Sequence, residues 1–306
     1  MPKSTMALVM LLASSLLVFS ARAQERDDTR LKPAERNRTG TLRQLIPGHY
    51  VFSSTSFNSG VIATTEGVVV LDALSSEAIA RKEREAIASV IKQPIRFLVS
   101  STFHNNYTWG NVAYQDVIKI GHENYRADLL AQMQRDRASP EDQKARLPQV
   151  TYQGRLNIHL GGKEIQILYL GRGHTRGDSI IFVPQDRIAY VSELFFSDQF
   201  LYINDGYGVS WLKTLDAIEA LPADILVPGH GPISEDPKET RQGFHRFRQM
   251  LVDLRDAVQQ EIARGATEDQ AAAAIKLSQY EKMAGYKSQR EVAVRRTYQE
   301  MTGTLP

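Results

Sequence analysis

Four segments of the chain share one pattern, in which an apolar run typical of a buried β-strand ends beside polar residues. They read FLVSSTFHNN, ILYLGRGHTRGD, IAYVSELFF and ILVPGHGPI. Loops at strand ends are where α/β folds carry their functional residues, because the strands provide a rigid support. The pattern therefore predicts one shared site, to which these segments contribute four side chains: His104, His174, Glu193 and His230.

The order of the remaining segments predicts the fold class. Short β-rich runs such as GVVVLDA precede a segment with helical spacing, SSEAIARKEREAIASVIKQ, and hairpins are indicated at Gly161-Gly162 and at residues 184–186. Residues 236–306 follow a helical period, with a break near RGATED. This order favours an α/β (α+β) fold in which two sheets face each other with helices outside. The chain has no G-x-G-x-x-G dinucleotide motif, phosphate-binding loop or G-x-S-x-G elbow.

The absence of cysteine limits the chemistry of any metal site. No thiolate ligand, cysteine nucleophile or disulfide is available in the 306 residues, so a metal ion must bind histidine, carboxylate or weaker oxygen donors. Three loop histidines and one carboxylate form a suitable set for a zinc-type ion. The chain has four other histidines. His49 precedes a predicted strand, His159 lies within a predicted hairpin and His245 lies on a predicted helix. Only His122, which follows the run VIKIG, is expected near the site.

The N-terminus has the features of a secretory signal. Lys3, an apolar run from Met6 to Phe19 and the end Ala21-Arg22-Ala23 predict cleavage before Gln24 and a periplasmic or secreted protein. The mature chain keeps equal numbers of basic and acidic residues, so nucleic acid is not an expected partner. The apolar runs of the mature chain are too short for stable membrane insertion. Residues 24–44 are expected to be a flexible lead-in.

From about residue 45 to 235 the chain resembles the metallo-β-lactamase superfamily. The resemblance includes GVVVLDA, GHTRGDSIIF, VSELFF, NDGYGVSWLKTLDAIEAL and ADILVPGHGPI. It implies an αββα sandwich with a site between the sheets, followed here by a C-terminal helical extension over 236–306. The superfamily's best-known motif is H-x-H-x-D-H, usually followed by T-x-G-N.

That motif is degenerate in this chain. Residues 102–107 read TFHNNY and are followed by TWGN at 108–111. Of the four ligand positions only His104 matches, and the others hold Thr102, Asn106 and Tyr107. The resemblance carries the remaining ligand roles to His174, to Glu193 at the bridging aspartate position, and to His230.

The substitutions argue against two metal ions. Asn106 has no negative charge, and Tyr107 would have to lose a proton whose unperturbed pKa is about 10. Glu193 and a bridging hydroxide offset too little of the charge of two close divalent cations. We therefore expect at most one ion, zinc or iron(II), on a set of four ligands: His104, His174, Glu193 and His230.

The sequence leaves three functions open. The first is a one-metal hydrolase of an ester, lactone, amide or similar bond of a small molecule, with Glu193, Tyr107 and Asn106 as candidate catalytic residues. The second is a metal-free enzyme, and the third a ligand-binding pseudo-enzyme on the same fold. Asp72 and Asp178 are expected to support the loops. Seven aromatic residues beside the loops are candidates to line the cleft: Trp109, Trp211, Phe195, Phe196, Phe200, Tyr202 and Tyr207. For Trp109 and Trp211, core packing is the expected role.

Overall fold

The computed structural model describes residues 40–55 and 57–305. Its strands are β1 (Thr41–Ile46), β2 (His49–Ser54), β3 (Phe57–Ala63), β4 (Val68–Leu71), β5 (Ile95–Ser100), β6 (Ile118–His122), β7 (Val150–Tyr152), β8 (Arg155–Leu160), β9 (Lys163–Leu168), β10 (Ile180–Val183), β11 (Ile188–Phe196) and β12 (Ile225–His230). Its helices are α1 (Glu77–Val90), α2 (Asn105–Thr108), α3 (Glu123–Arg135), α4 (Pro140–Arg146), α5 (Gly208–Glu219), α6 (Pro237–Ala263), α7 (Glu268–Ala274) and α8 (Tyr286–Thr302).

The strands form two facing halves of one hydrogen-bonded ladder. The hydrogen-bonded order is β7-β6-β5-β4-β3-β12-β11-β10-β9-β8. Outside this order, β2 pairs with β3, and β1 pairs with β2. The halves join through β3 and β12, where His230 is the partner of Phe57. A buried apolar layer lies between the halves, with Val69 and Val99 from one and Ile165 and Ile181 from the other.

Helices cover both outer faces. Ala80 and Ile87 of α1 pack with the first half of the sheet, and a larger cluster lies beneath α5, α6 and α8 on the second half. Burial of apolar residues at helical and alternating spacing therefore builds the four-layer αββα sandwich, which confirms the predicted fold class.

Local signals fix the helix limits. Ser76 and Ser139 accept backbone N–H groups at the starts of α1 and α4, and Asp236 accepts those of Lys238 and Glu239 at the start of α6. Both predicted hairpins form, as β8–β9 and β10–β11. After strand β5 the short helix α2 continues into a 3-10 turn over Trp109–Tyr114.

The folded domain begins earlier in the chain than the sequence predicts. The predicted signal peptide, residues 1–23, and most of the lead-in lie outside the described residues. Residues 41–44 of that lead-in belong to strand β1, because Thr41 to Gln44 pair with β2 in antiparallel register. The C-terminal helices belong to the same compact unit as the sandwich. No described helix combines the length and apolarity needed to cross a bilayer.

Candidate metal centre

Glu193 lies at the centre of the predicted site. It stands inside strand β11 rather than in the loop after it, next to Ser192, whose φ of 46° is left-handed and marks a break in the pairing with β12. Strand β12 approaches this bulge so closely that a Cβ on Gly229 would lie 2.5 Å from the carbonyl carbon of Ser192. Only glycine fits there, which accounts for the first glycine of the PGHGP segment.

Two of the predicted histidines face one oxygen of this carboxylate. His104 begins α2 after strand β5, and its Nδ1 lies 3.3 Å from Glu193 Oε2. His174, in the loop between β9 and β10, places its Nδ1 2.8 Å from the same oxygen. Ligand atoms of these three residues all lie within 4.8 Å of one another.

His230 contacts the other side of the carboxylate. Its Nε2 forms a short contact with Glu193 Oε1, and it is not part of the group that converges within 4.8 Å. The structure thus brings all four predicted residues together but divides them into a group of three and a fourth member beyond the carboxylate. The four-ligand set stays a prediction.

Buried charge in this site is balanced within the cluster. Burial, the largest single cause, would raise the pKa of Glu193, but His174, His230 and His104 together outweigh it, so its pKa lies well below the usual value. Burial likewise opposes the charged form of His104, yet hydrogen bonds to Asp205 and Glu193 raise its pKa to about 9. The position between these carboxylates therefore favours a cation, a proton or a metal ion.

The donor set fits one divalent ion. Among the described residues, both ring nitrogens of His174 are buried and make no hydrogen bond, although Nδ1 lies 2.8 Å from Glu193 Oε2. An unpartnered buried imidazole is costly, and coordination would satisfy it. Two ligands of one tetrahedral zinc ion lie about 3.4 Å apart, close to the spacings found here. Thr102, at a ligand position of the superfamily motif, is also buried, and its hydroxyl has no hydrogen-bond partner within residues 40–55 and 57–305.

One contributor was not predicted. Asp205, in the loop between β11 and α5, accepts a hydrogen bond from His104 Nε2 at 2.9 Å. The hydrogen bond from His104 lowers the pKa of Asp205. The NDGYG segment contains this aspartate, but no signal in the sequence pairs it with a histidine 101 positions away.

Of the other candidate catalytic residues, Tyr107 lies near Glu193: burial and, next, the negative charge of Glu193 raise its pKa well above the usual value. Tyr107 is fully buried and donates its hydroxyl hydrogen to the carbonyl of Gly229 at 2.7 Å. Asn106 is half-buried in α2. Their catalytic roles stay predictions. His122 donates to the Gln153 carbonyl at 2.7 Å instead of reaching the site.

The two aspartates predicted as supports both hold loops. Asp72 accepts from the backbone N–H and hydroxyl of Ser101, each at 2.7 Å, and from the hydroxyl of Ser192 at 2.8 Å. It thereby links the end of β5 to the residue before Glu193. Asp178 accepts from the Thr175 N–H at 2.8 Å, which closes the loop that carries His174.

Most of the predicted cleft aromatics are core residues. Trp211 is fully buried, and its ring lies 5.7 Å from that of His174. Tyr202 is 38% exposed, with its ring 6.2 Å from His104. Trp109 is 44% exposed, so its expected core role is wrong: it stands at the outer side of the 3-10 turn. The three predicted phenylalanines pack in the core beneath the C-terminal helices: Phe195, Phe196 and Phe200. Of these, Phe196 also stacks on the ring of His230 at 4.5 Å and so contacts the site as predicted.

A model of the metallo-beta-lactamase superfamily matches residues 56–230, more than half of the chain. The chain belongs to this superfamily. Among curated relatives, the 2,4-dinitroanisole O-demethylase subunit alpha of Nocardioides sp. (strain JS1661) is 25% identical over 178 residues, which cover 57% of this chain and 52% of that protein. The type 2 metallo-beta-lactamase of Bacteroides fragilis is 22% identical over 204 residues, 62% of this chain and 79% of that enzyme.

A solved structure extends the likeness of fold. The stereoselective inverting sec-alkylsulfatase from Pseudomonas sp. superposes with a TM-score of 0.66 at 15% identity, over 87% of this chain and 50% of that one. Because 87% exceeds the sandwich alone, the similarity includes C-terminal helices. This superfamily member therefore spans about half the length of both the demethylase subunit and the sulfatase.

Proposed function

We propose that this protein is a hydrolase with a single divalent metal ion on His104, His174 and Glu193. Zinc suits two imidazoles and a carboxylate, and iron(II) is the second choice. The observation that carries the proposal is the imidazole of His174, which is buried with no hydrogen-bond partner in the described part of the chain, beside a carboxylate whose pKa is lowered. We propose an ester, lactone, amide or similar bond of a small molecule as the target.

Glu193, His230 and Tyr202 have different roles in the proposed reaction. A bound divalent ion would polarise the scissile group and make a coordinated water more acidic. Glu193 supplies the negative charge of the site, with one oxygen toward His104 and His174. His230, on the other oxygen, is placed to hold or move a proton next to Glu193. Tyr202 provides an aromatic wall at the exposed side.

The relatives support hydrolysis without identifying the substrate. They are named for a β-lactamase, an alkylsulfatase and an O-demethylase subunit, and one fold can carry many reactions. We infer export from the N-terminal sequence pattern, so substrates of the periplasm or the exterior are the first choice. The alternatives, a metal-free enzyme and a ligand-binding pseudo-enzyme, predict the same fold without stoichiometric metal.

Elemental analysis of the purified protein tests the metal proposal. We expect about one equivalent of metal in the wild-type protein and a loss of metal in both His174→Ala and Glu193→Gln. His245→Ala is a matched control, because His245 forms a pair with Glu219 on the surface, outside the site. Wild-type protein without metal after incubation with zinc or iron(II) would overturn the proposal.

A substrate panel tests the reaction. Esters, lactones, amides, β-lactams and alkyl sulfates are assayed with and without chelator, using Glu193→Gln as the blank. Turnover that chelator abolishes and metal restores supports the one-metal hydrolase. Turnover that is unchanged by chelator supports the metal-free enzyme.

A further inference from the structure

We infer that Asp205 is a positioning residue for His104, and that the C-terminal helix α8 holds the loop that carries it. The inference rests on the proposed metal site. It links Asp205 to helix α8, which lies beyond the segment that matches the superfamily model, since that segment ends at residue 230. It gives the C-terminal helices a task at the site in addition to covering the sheet.

The two nitrogens of His104 have different carboxylate partners. Nε2 donates to Asp205 Oδ2 at 2.9 Å, and Nδ1 faces Glu193 Oε2 at 3.3 Å. A carboxylate that accepts from the outer nitrogen of a ligand histidine fixes the ring orientation and makes the other nitrogen a better donor to metal. Asp205 has this relation to His104, the one ligand retained from the H-x-H-x-D-H motif.

The loop of Asp205 is held from behind by α8. The guanidinium of Arg296 donates to the carbonyl of Gly206, adjacent to Asp205, at 3.2 Å. Its positive charge also favours the carboxylate form of Asp205. Gly206 N–H in turn donates to the Ile203 carbonyl at 3.0 Å, which closes the turn around Asp205.

The far side of the same loop is held by Glu300. Its carboxylate accepts from the backbone N–H groups of Val209 at 2.8 Å and Ser210 at 2.9 Å, and from the Ser210 hydroxyl at 2.6 Å. These N–H groups are in the first turn of α5, where Tyr207 provides no side-chain cap, so Glu300 takes the role of the capping residue.

Close packing leaves little freedom between the two helices. A Cβ on Gly208 would lie 2.4 Å from Thr297 Oγ1 of α8, so the start of α5 sits directly against that helix. Arg296, Thr297 and Glu300 are on adjacent turns of α8 and contact residues 206–210 together. A displacement of α8 would therefore move Asp205 relative to His104.

Zinc affinity is the first test, measured by competition with a chromophoric chelator. We expect Asp205→Ala to bind zinc about 10–100-fold more weakly than wild type, and Asp205→Asn, which keeps an acceptor, to lose less. Glu300→Gln should lose up to about tenfold. Arg295→Gln is the matched control: it is on the same helix but pairs with Glu291 and Asp269 on the other face, and its affinity should equal that of wild type. Unchanged affinity in Asp205→Ala would overturn the inference.

Nitrogen-15 NMR of the histidine rings in metal-free protein is the second test. We expect a protected Nε2–H signal of His104 in wild type and Arg295→Gln, which is lost in Asp205→Ala and weakened in Glu300→Gln. A signal that survives in Asp205→Ala would overturn the inference. This measurement does not depend on metal, so wild-type protein that binds no zinc while showing the expected signals would defeat only the proposed function.

Discussion

Tyr107 donates its hydroxyl hydrogen to the carbonyl of Gly229 across 2.7 Å. Tyr107 follows His104 by three residues, and Gly229 precedes His230. The hydrogen bond therefore joins the turn that carries one site histidine to the strand that carries another. A residue that replaces a ligand of the superfamily motif serves here as a link between two elements of the site.

Removing this hydroxyl should lower the stability of the fold and have a smaller effect on turnover. Tyr107→Phe keeps the edge-to-face contacts with Phe57 and His230, at 5.8 and 6.0 Å, but leaves the buried Gly229 carbonyl without its partner. We expect the free energy of unfolding to fall by about 1–3 kcal/mol, measured by urea denaturation of metal-free protein.

The catalytic hypothesis for Tyr107 predicts a different result. Loss of an oxyanion donor lowers kcat by about 10²–10³-fold, whereas loss of the link alone should change kcat by less than that. For the stability measurement Tyr202→Phe is the control, because its hydroxyl is at the exposed side and accepts only from Asn204 at 2.6 Å among the described contacts. Its stability should stay within about 0.5 kcal/mol of wild type.

The position of His230 across the carboxylate predicts unequal effects of two histidine substitutions. His174→Ala removes a member of the converging group and should abolish tight metal binding. His230→Ala removes the partner of Glu193 Oε1, so metal should remain, with weaker affinity and reduced turnover. Equal loss of metal in both variants, measured by elemental analysis, would instead support a four-ligand site.

The sequence predicted the layers, and the proximity of four polar side chains, because both follow from short-range patterns. Apolar alternation and helical spacing depend on burial, which placed the hairpins and helices close to their observed limits. The strand-end pattern located His104, His174 and His230. Glu193 was expected beside the end of its strand, but it lies within β11, directly after the bulge at Ser192.

Long-range pairings were outside the reach of the sequence. Asp205 and His104 are separated by 101 positions, and neither local spacing nor composition joins them. The division of the four predicted ligands around Glu193 also depends on differences of a few ångströms between side chains. The burial of Tyr107 likewise follows from packing against Phe57, which no pattern in residues 102–107 indicates.

A buried carboxyl away from the site predicts how stability depends on pH. Glu83 of α1 is fully buried and accepts from the hydroxyls of Ser59 and of Tyr114, the latter at 2.8 Å. Burial raises the pKa of Glu83 to about 8, with Asp72 adding to the rise and the hydrogen bonds and Arg84 opposing it. The folded state therefore binds this proton more tightly than the unfolded chain, where the pKa is about 4.3.

The sign follows from proton linkage. Below pH 4 the stabilising effect of the proton on Glu83 is fully present, and it is lost as the pH rises to about 8, because the folded state must then ionise a buried group. Glu83→Gln removes this titration. We expect the stability of the variant relative to wild type to rise across this range by about 1.4 kcal/mol per pH unit, in urea denaturation with chelator present. Glu85→Gln, on the exposed face of α1, is the control, and a flat difference between Glu83→Gln and wild type would contradict the assignment.

Gly110, in the TWGN segment, occupies a position with no room for a side chain. A Cβ on Gly110 would lie 1.8 Å from the carbonyl oxygen of Ala73 and 2.8 Å from the Cβ of Ala80, and backbone cannot yield as a flexible side chain does. Gly110→Ala should displace the 3-10 turn and α2, which carries His104 at its start, and lower stability by about 3 kcal/mol or more. Gly154→Ala, where a Cβ meets nothing within 4 Å, is the matched control and should change stability by less than about 1 kcal/mol. Thermal unfolding of both variants, together with zinc affinity, checks this: a Gly110→Ala protein as stable as the control would show that the contact between the turn and Ala73 does not fix the position of His104.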